Sequence, residues 1–492
     1  MHLSLQSSPL AEIAVDWLVV CLWEKEALTG AAATIDAKLG GLVSKLCEQG
    51  DVAGKAKELT PLYQCPALAA RRLLLVGLGQ RDRCDFAALV SALGAAAKVL
   101  SSKPVQRIAM ALPEGVPGLG ADVVLRACAH GFYQGSSSAG IRKSTNDRTP
   151  PTEVCFVASA SGASLEPSVR RAEIEGRAAN LARELVNIPP CDLYPESFAE
   201  RALAIAGKVG LDVKILDEPA LHAERMNSLL AVACGSERPP RLVVLQHRKG
   251  GAKPTLGLIG KGVTFDSGGL SLKTTDQMVD MKCDMAGAAA VLGAMQAIAE
   301  LALPVNVLGV MALVENMPSG KAMKLGDVLR ARNGKTIEVL NTDAEGRLIL
   351  ADALAYAVDL KASHLVDLAT LTGACMVALG YDVAGLMSNN DAWSQKVLAA
   401  SQAAGEKAWP LPMFAHYKEM IKSDVADMKN TGGSRYAGAI SAAKFLEEFV
   451  GETPWVHLDI AGPSWAEKEN ASRDAGGTGC FVRTLIELAR TY

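Results

Sequence analysis

The sequence predicts an α/β protein of two domains, a smaller N-terminal α/β domain and a larger C-terminal domain with a central mixed, mostly parallel sheet flanked by helices. Three observations predict it. Strand-like apolar runs alternate with helix-like runs along the chain. At 492 residues the chain exceeds one ordinary core, so two domains are the natural division. Two motifs rich in glycine and carboxylates directly follow strand-like runs, which is where open α/β sheets place their sites. The divisions read as residues 1–160, a connecting helix over 161–188, and 189–492.

In the first domain, Trp17–Trp23, Arg72–Val76, Arg107–Ala111 and Val154–Ala158 read as strands and the alanine-rich Ala87–Leu100 as a helix. A long helix is expected from Ser164 to Val186. Pro167 suits its first turn, Ile174, Ala178, Leu181 and Leu185 share one face, and Pro189-Pro190 ends it. Beyond it Arg241–Gln246, Thr255–Ile259, Val305–Leu313, Thr336–Leu340, His364–Leu368 and Trp455–Ile460 read as strands, and Asp284–Leu301 as a helix that stops before Pro304.

Composition bounds the function. The net charge is −3, with no long basic run and no basic–aromatic alternation, so nothing in it supports nucleic-acid binding. Eleven cysteines, an odd number with no Cys-x-x-Cys, suit a reducing cytoplasm and give no zinc ribbon or thioredoxin motif. The first apolar run, Asp16–Trp23, is short and lacks a basic flank, so it reads as a strand and not as a secretion signal, and no run reaches membrane-span length. The seven histidines are scattered, without His-x-x-x-His spacing, and His364 and His457 read as core residues of apolar strands. Ser267 lacks a nucleophile elbow, and Gly257-x-x-Gly260-Lys261-Gly262 lacks the frame of a phosphate loop.

Two clusters carry the chemistry. Asn341-Thr342-Asp343-Ala344-Glu345-Gly346-Arg347-Leu348 puts two carboxylates and a guanidinium within five residues. On an extended segment Asp343 and Glu345 would point the same way, because strands repeat every two residues. Taken alone, Thr342-x-x-Glu345 reads equally well as a capping box for the helix-like run Leu348–Val358. The second cluster shifts the balance. It runs Gly260-Lys261-Gly262-Val263-Thr264-Phe265-Asp266-Ser267-Gly268-Gly269, then Lys273, then Met281-Lys282-Cys283-Asp284. Its glycines predict sharp turns or close backbone approach. So many acids in one pocket would repel one another and raise each other's pKa unless cations cancel them, and oxygen ligands suit manganese, magnesium or zinc.

With these motifs the chain resembles the leucine aminopeptidase (cytosol aminopeptidase) family, most of all its bacterial aminopeptidase A members. Asn341–Arg347 and Gly260–Gly269 match the two family motifs, Lys273 and Asp284 fall at the expected spacings, and Trp455–Gly462 matches the C-terminal strand. The similarity covers roughly the last two thirds of the chain, with only a general match before it. It implies that 189–492 is a di-metal aminopeptidase domain. It implies one divalent ion (Mn2+ or Zn2+) on Asp266, Asp343 and Glu345, and a second on Lys261, Asp266, Asp284 and Glu345. Lys261 can ligate only when neutral, and burial beside dications lowers its pKa. Lys273 and Arg347 are the expected catalytic residues outside the metal shell. Lys273 stabilises the oxyanion, and Arg347, too basic to act as a base, holds a bicarbonate that does. Met281, Thr370 and Gly373 line the first side-chain pocket, favouring leucine and other apolar residues. The resemblance further implies a cytoplasmic homohexamer of two stacked trimers acting on peptides. A second role as a DNA-binding transcriptional or recombination accessory protein occurs among bacterial relatives. A catalytically dead member is the third reading, and the intact set Lys261, Asp266, Lys273, Asp284, Asp343, Glu345 and Arg347 argues against it. The chain departs from the pattern at Cys191, Thr274, Leu325 and Gly476–Cys480, none a proposed ligand.

Overall fold

A computed structural model of the protein describes residues 1–158 and 165–492. Ser164 and residues 160–161, where the sequence starts the long helix and divides the domains, lie outside the described residues. The chain forms two compact units, one of Met1–Asn180 with Glu467–Ala475 and one of Leu181–Ala466 with Gly476–Tyr492.

The first unit is built on a six-stranded sheet. Its order is His2–Gln6, Glu153–Val157, Arg107–Ala111, Trp17–Leu22, Leu73–Gly77, Leu59–Leu62, with all neighbours parallel except the last pair. Trp17–Leu22 and Leu73–Gly77 are buried nearly throughout, as strands covered on both faces must be. The helices Phe86–Leu100 and Ala121–Gly135 pack closely on each other. Gly135 makes that possible, since a Cβ there would lie 2.1 Å from the Gly94 carbonyl oxygen. Asp85 caps the first of these helices by accepting the Ala88 N–H. The long helix Glu166–Asn187 begins with Pro167 in its first turn, as read from the sequence.

The second unit carries an eight-stranded mixed sheet in the order Ala408–Pro410, Ala384–Ser388, Trp455–Asp459, His364–Ala369, Thr255–Asp266, Asn306–Asn316, Arg241–Arg248, Asp212–Leu216. The four central strands, from Trp455–Asp459 to Asn306–Asn316, are mutually parallel, and antiparallel pairing starts on either side of them. Helices Ala286–Glu300 and Gly346–Asp359 pack on this central group. Leu348, Ile349 and Leu350 are all fully buried, so the second helix is enclosed on several sides.

Two expectations change here. Thr255–Asp266 runs seven residues past the Ile259 end expected for it, so Lys261 lies within a strand and not in a turn. Gly260 and Gly262 serve close approach instead, a Cβ on Gly260 falling 2.6 Å from the Ala288 Cα. The strand at Thr336 spans only Thr336–Glu338 and belongs to a separate three-stranded sheet with Val328–Arg330 and Met428–Lys429. The acids after it therefore do not sit at the carboxyl end of a main-sheet strand.

Candidate metal centre and active site

Asp266 is the last residue of the strand Thr255–Asp266 and is buried. Its Oδ1 accepts the Gly268 N–H at 2.9 Å and the Asn316 amide at 2.8 Å. The tight turn that allows this uses Gly268 and Gly269, at φ +85° and +65°. Asp343 and Glu345 sit on the irregular segment between Thr336–Glu338 and the helix Gly346–Asp359, not on a strand. They converge nonetheless, and one carboxylate oxygen from each of Asp266, Asp343 and Glu345 lies within 4.8 Å of the others.

The capping-box reading of Thr342 and Glu345 does not hold. The Thr342 hydroxyl donates to the Gly268 carbonyl at 2.6 Å and accepts the Ser271 N–H at 2.7 Å. Glu345 makes no side-chain cap on the helix it precedes. Thr342 thus ties one motif to the other.

Lys261 rises from mid-strand into the same place. Its Nζ lies 2.7 Å from Asp284 Oδ1, 2.8 Å from Glu345 Oε1 and 2.9 Å from the Thr370 carbonyl. Three acceptors match the three N–H bonds of an ammonium. Burial pushes Lys261 down, but Asp284, Glu345 and Asp266 together outweigh it and hold the group well above its ordinary value. The downward direction expected from sequence belongs to the site with dications beside Lys261. Lys273 pairs with Asp266 Oδ2 at 2.9 Å and with Asp343. Burial also lowers its pKa, and the two aspartates raise it by more.

Arg347, in the first turn of Gly346–Asp359, is buried with its Nε unbonded. Burial brings its pKa down to about 10, against the pull of Glu345 and Asp459, so it stays cationic at neutral pH. The Thr370 hydroxyl donates to Asp284 Oδ1 at 2.7 Å. Met281 and Thr370 are half-buried, and Gly373 opens the helix Gly373–Leu379 with open space where a Cβ would be. The structure thus brings Lys261, Asp266, Lys273, Asp284, Asp343 and Glu345 into one connected group, with Thr370 bonded to it. His364 and His457 stay outside it. His457 is fully buried, with Nδ1 2.6 Å from Asp367 Oδ1, as a core residue would be, while His364 is half-buried and bonds Tyr492.

Divalent ions fit this donor set. Burial, then mutual repulsion, raises the carboxyls of Asp343 and Glu345. Asp284 is raised by burial as well, with Lys261 opposing. The acids push both lysines up, while burial and then the neighbouring carboxylates push Asp284, Asp343 and Glu345 up, since four carboxylates share the pocket with two ammoniums. Asp284 Oδ2 is also buried with no hydrogen-bond partner. More positive charge is what the pocket lacks.

Sequence reasoning missed Asn316 and Asn430. Asn316 ends its strand and bonds both Asp266 and the Thr342 carbonyl. Asn430 accepts the Leu340 and Asn341 N–H groups and donates to the Asn341 carbonyl at 2.7 Å. The polar pair Glu315-Asn316, ending a long apolar run, was the available signal for the first. Asn430 carried none.

A profile of the cytosol aminopeptidase family, catalytic domain, matches residues 180–486, and one of that family's N-terminal domain matches 19–146. The chain belongs to the cytosol aminopeptidase family. It is therefore an aminopeptidase, a metal-dependent exopeptidase of the hydrolase class that binds divalent metal and acts on peptides. A probable cytosol aminopeptidase of Rhodopirellula baltica is 48% identical over 461 residues, covering 93% of this chain and 88% of that protein. One of Solibacter usitatus is 44% identical over 494 residues, covering 100% of both. Among solved structures, a mutant of tomato leucine aminopeptidase matches with TM-score 0.90 and 36% identity, over 100% of this chain and 97% of that one. The bottromycin maturation enzyme BotP in complex with Mn matches with TM-score 0.85 and 35% identity, over 97% and 99%. The kinship thus extends beyond the last two thirds of the chain, because the first domain has a family profile of its own.

Proposed function

We propose that this aminopeptidase removes N-terminal leucine and other apolar residues from peptides, using two divalent ions, manganese or zinc, per subunit. The observation that carries the reading is the convergence of Asp266, Asp343 and Glu345, with Lys261 and Asp284 bonded beside them. Asp266, Asp343 and Glu345 would hold one ion, and Lys261, Asp266, Asp284 and Glu345 the other. When bound, the ions supply Lewis acidity for a water and for the scissile carbonyl. Lys261 would serve as a ligand in its neutral form. Lys273, beside Asp266 and Asp343, would donate to the carbonyl oxygen as charge develops there. Arg347, buried, cationic and with Nε free, is the group to hold bicarbonate as the base. Met281, Thr370 and Gly373 receive the first side chain. The open space at Gly373 supports that role, and a methylene there changes discrimination by about 1–3 kcal/mol. Eleven cysteines, an odd number, suit work in the cytoplasm. The family resemblance supports assembly as a homohexamer.

The test is leucine p-nitroanilide against its N-acetyl derivative. A free amine held at the site makes the first a substrate and the second inert. Equal turnover of both would overturn the reading. A DNA-binding role makes a separate prediction, retention of DNA after chelation with a steep salt dependence.

A further inference from the structure

The strand Trp455–Asp459 ends in a fully buried carboxylate that the chemistry above does not use. Asp459 Oδ1 accepts the N–H groups of Leu371 at 3.2 Å, Thr372 at 3.4 Å and Ala461 at 3.2 Å. Its Oδ2 accepts the Thr372 hydroxyl at 2.6 Å. Next to it, the Ile460 N–H donates to the Ala369 carbonyl at 2.8 Å. The segment 369–372, leaving the strand His364–Ala369, is thereby fastened on both sides of Thr370.

Thr370 faces the other way. Its carbonyl accepts Lys261 Nζ and its hydroxyl donates to Asp284 Oδ1. With Oδ1 occupied by Thr370 and Lys261, Asp284 Oδ2 is left as its unbonded oxygen. One residue therefore aims both groups, and Asp459 fixes that residue's neighbours. A buried carboxylate is a costly way to close a turn, yet this one satisfies four donors at once.

We propose that Asp459 is a positioning residue, which fixes Thr370 through Leu371 and Thr372 and so aims Lys261 and Asp284 at the second metal ion. This rests on the reading of Lys261 and Asp284 as ligands. Loss of Asp459 loosens the second ion and leaves the first, on Asp266, Asp343 and Glu345, untouched. Partners that orient metal ligands typically change affinity by about 10–100-fold.

The experiment is manganese titration of the full chain, followed by electron paramagnetic resonance of free ion and by metal content per chain. Wild type, Asp284→Ala, Asp459→Ala and Asp459→Asn are compared. The expected result is two ions in wild type and one in Asp284→Ala. Asp459→Ala should bind its second ion about 10–100-fold more weakly with the first unchanged. Asp459→Asn should recover most of that loss, because an amide oxygen still accepts the N–H groups and the Thr372 hydroxyl can reverse to accept. Two ions at wild-type affinity in Asp459→Ala, with Asp284→Ala reduced to one, would overturn the inference alone. Two ions retained in Asp284→Ala would overturn the ligand reading and the inference with it. If Asp459→Ala does not fold, Thr372→Val removes only the hydroxyl's bonds and must weaken the same ion, with Thr372→Ser restoring it.

Discussion

Asp266 shows how much a single residue depends on its surroundings. One oxygen is fixed by the Gly268 N–H and by Asn316, which leaves the other for Lys273 or a cation. Asn316→Leu keeps the branching at Cγ and removes both amide bonds. It should lower metal affinity or turnover by about 10–100-fold, with the substrate KM changed little, as metal titration and steady-state kinetics will show. Asp266, Asp343, Glu345 and Lys261 were legible because short motifs with unusual residue pairs name their own chemistry. Asn316 and Asn430 were not, since an asparagine's partners are set by tertiary contact. Lys261 was legible as a site residue, but its ion pairs with Asp284 and Glu345 were not. The balance between burial and three carboxylates appears only when all are placed together.

At the scale of elements, glycines decide how close strand and helix come. Gly346 opens the helix Gly346–Asp359, and a Cβ there would fall 2.6 Å from Lys261 Nζ. Gly346→Ala should therefore displace Lys261 and cut turnover by at least about 10-fold, and thermal stability should fall, because strain on buried ion pairs outweighs the roughly 1 kcal/mol that alanine adds as the better helix former. Gly260 differs, since its Cβ would meet Ala288 backbone at 2.6–2.7 Å, which has no rotamer to yield. Gly260→Ala should lower unfolding free energy by about 1–3 kcal/mol or more, measured by urea denaturation. Long apolar strands were legible from periodicity. Strand ends were not, because Thr255–Asp266 continues through glycines, lysine and threonine that read as a loop but pair with Asn306–Asn316 along their length. The short edge strands Asp212–Leu216 and Ala408–Pro410 gave too few residues to set a period.

At the scale of the molecule, the alternation of strands and helices was enough to name two α/β sheets, and what escaped was long-range. The placing of Glu467–Ala475 in the first unit has no local signature. The first unit also has a buried charge network. Glu175, fully buried, bonds His130 at 2.9 Å, Arg126 at 3.2 Å and Arg171 at 2.5 Å. Burial alone would raise its pKa, but His130 and the two arginines hold it well below its ordinary value of 4.5. A depressed carboxylate adds stability that is present above pH 4.5 and is lost as the pH falls through its folded value. Glu175→Ala should cost about 3–5 kcal/mol at pH 7, by leaving its partners uncompensated. The gap to wild type should begin to close only below pH 4.5 in denaturation series. The proposed chemistry turns on the acidic cluster holding the metal that the peptidase needs. The most direct measurement strips the purified chain of metal and titrates manganese back while following leucine p-nitroanilide hydrolysis, with Asp343→Ala in parallel. Activity should be lost on stripping, restored by manganese in wild type, and absent from the folded variant at every concentration. Activity that survives stripping, or an Asp343→Ala chain restored as fully as wild type, would contradict that chemistry.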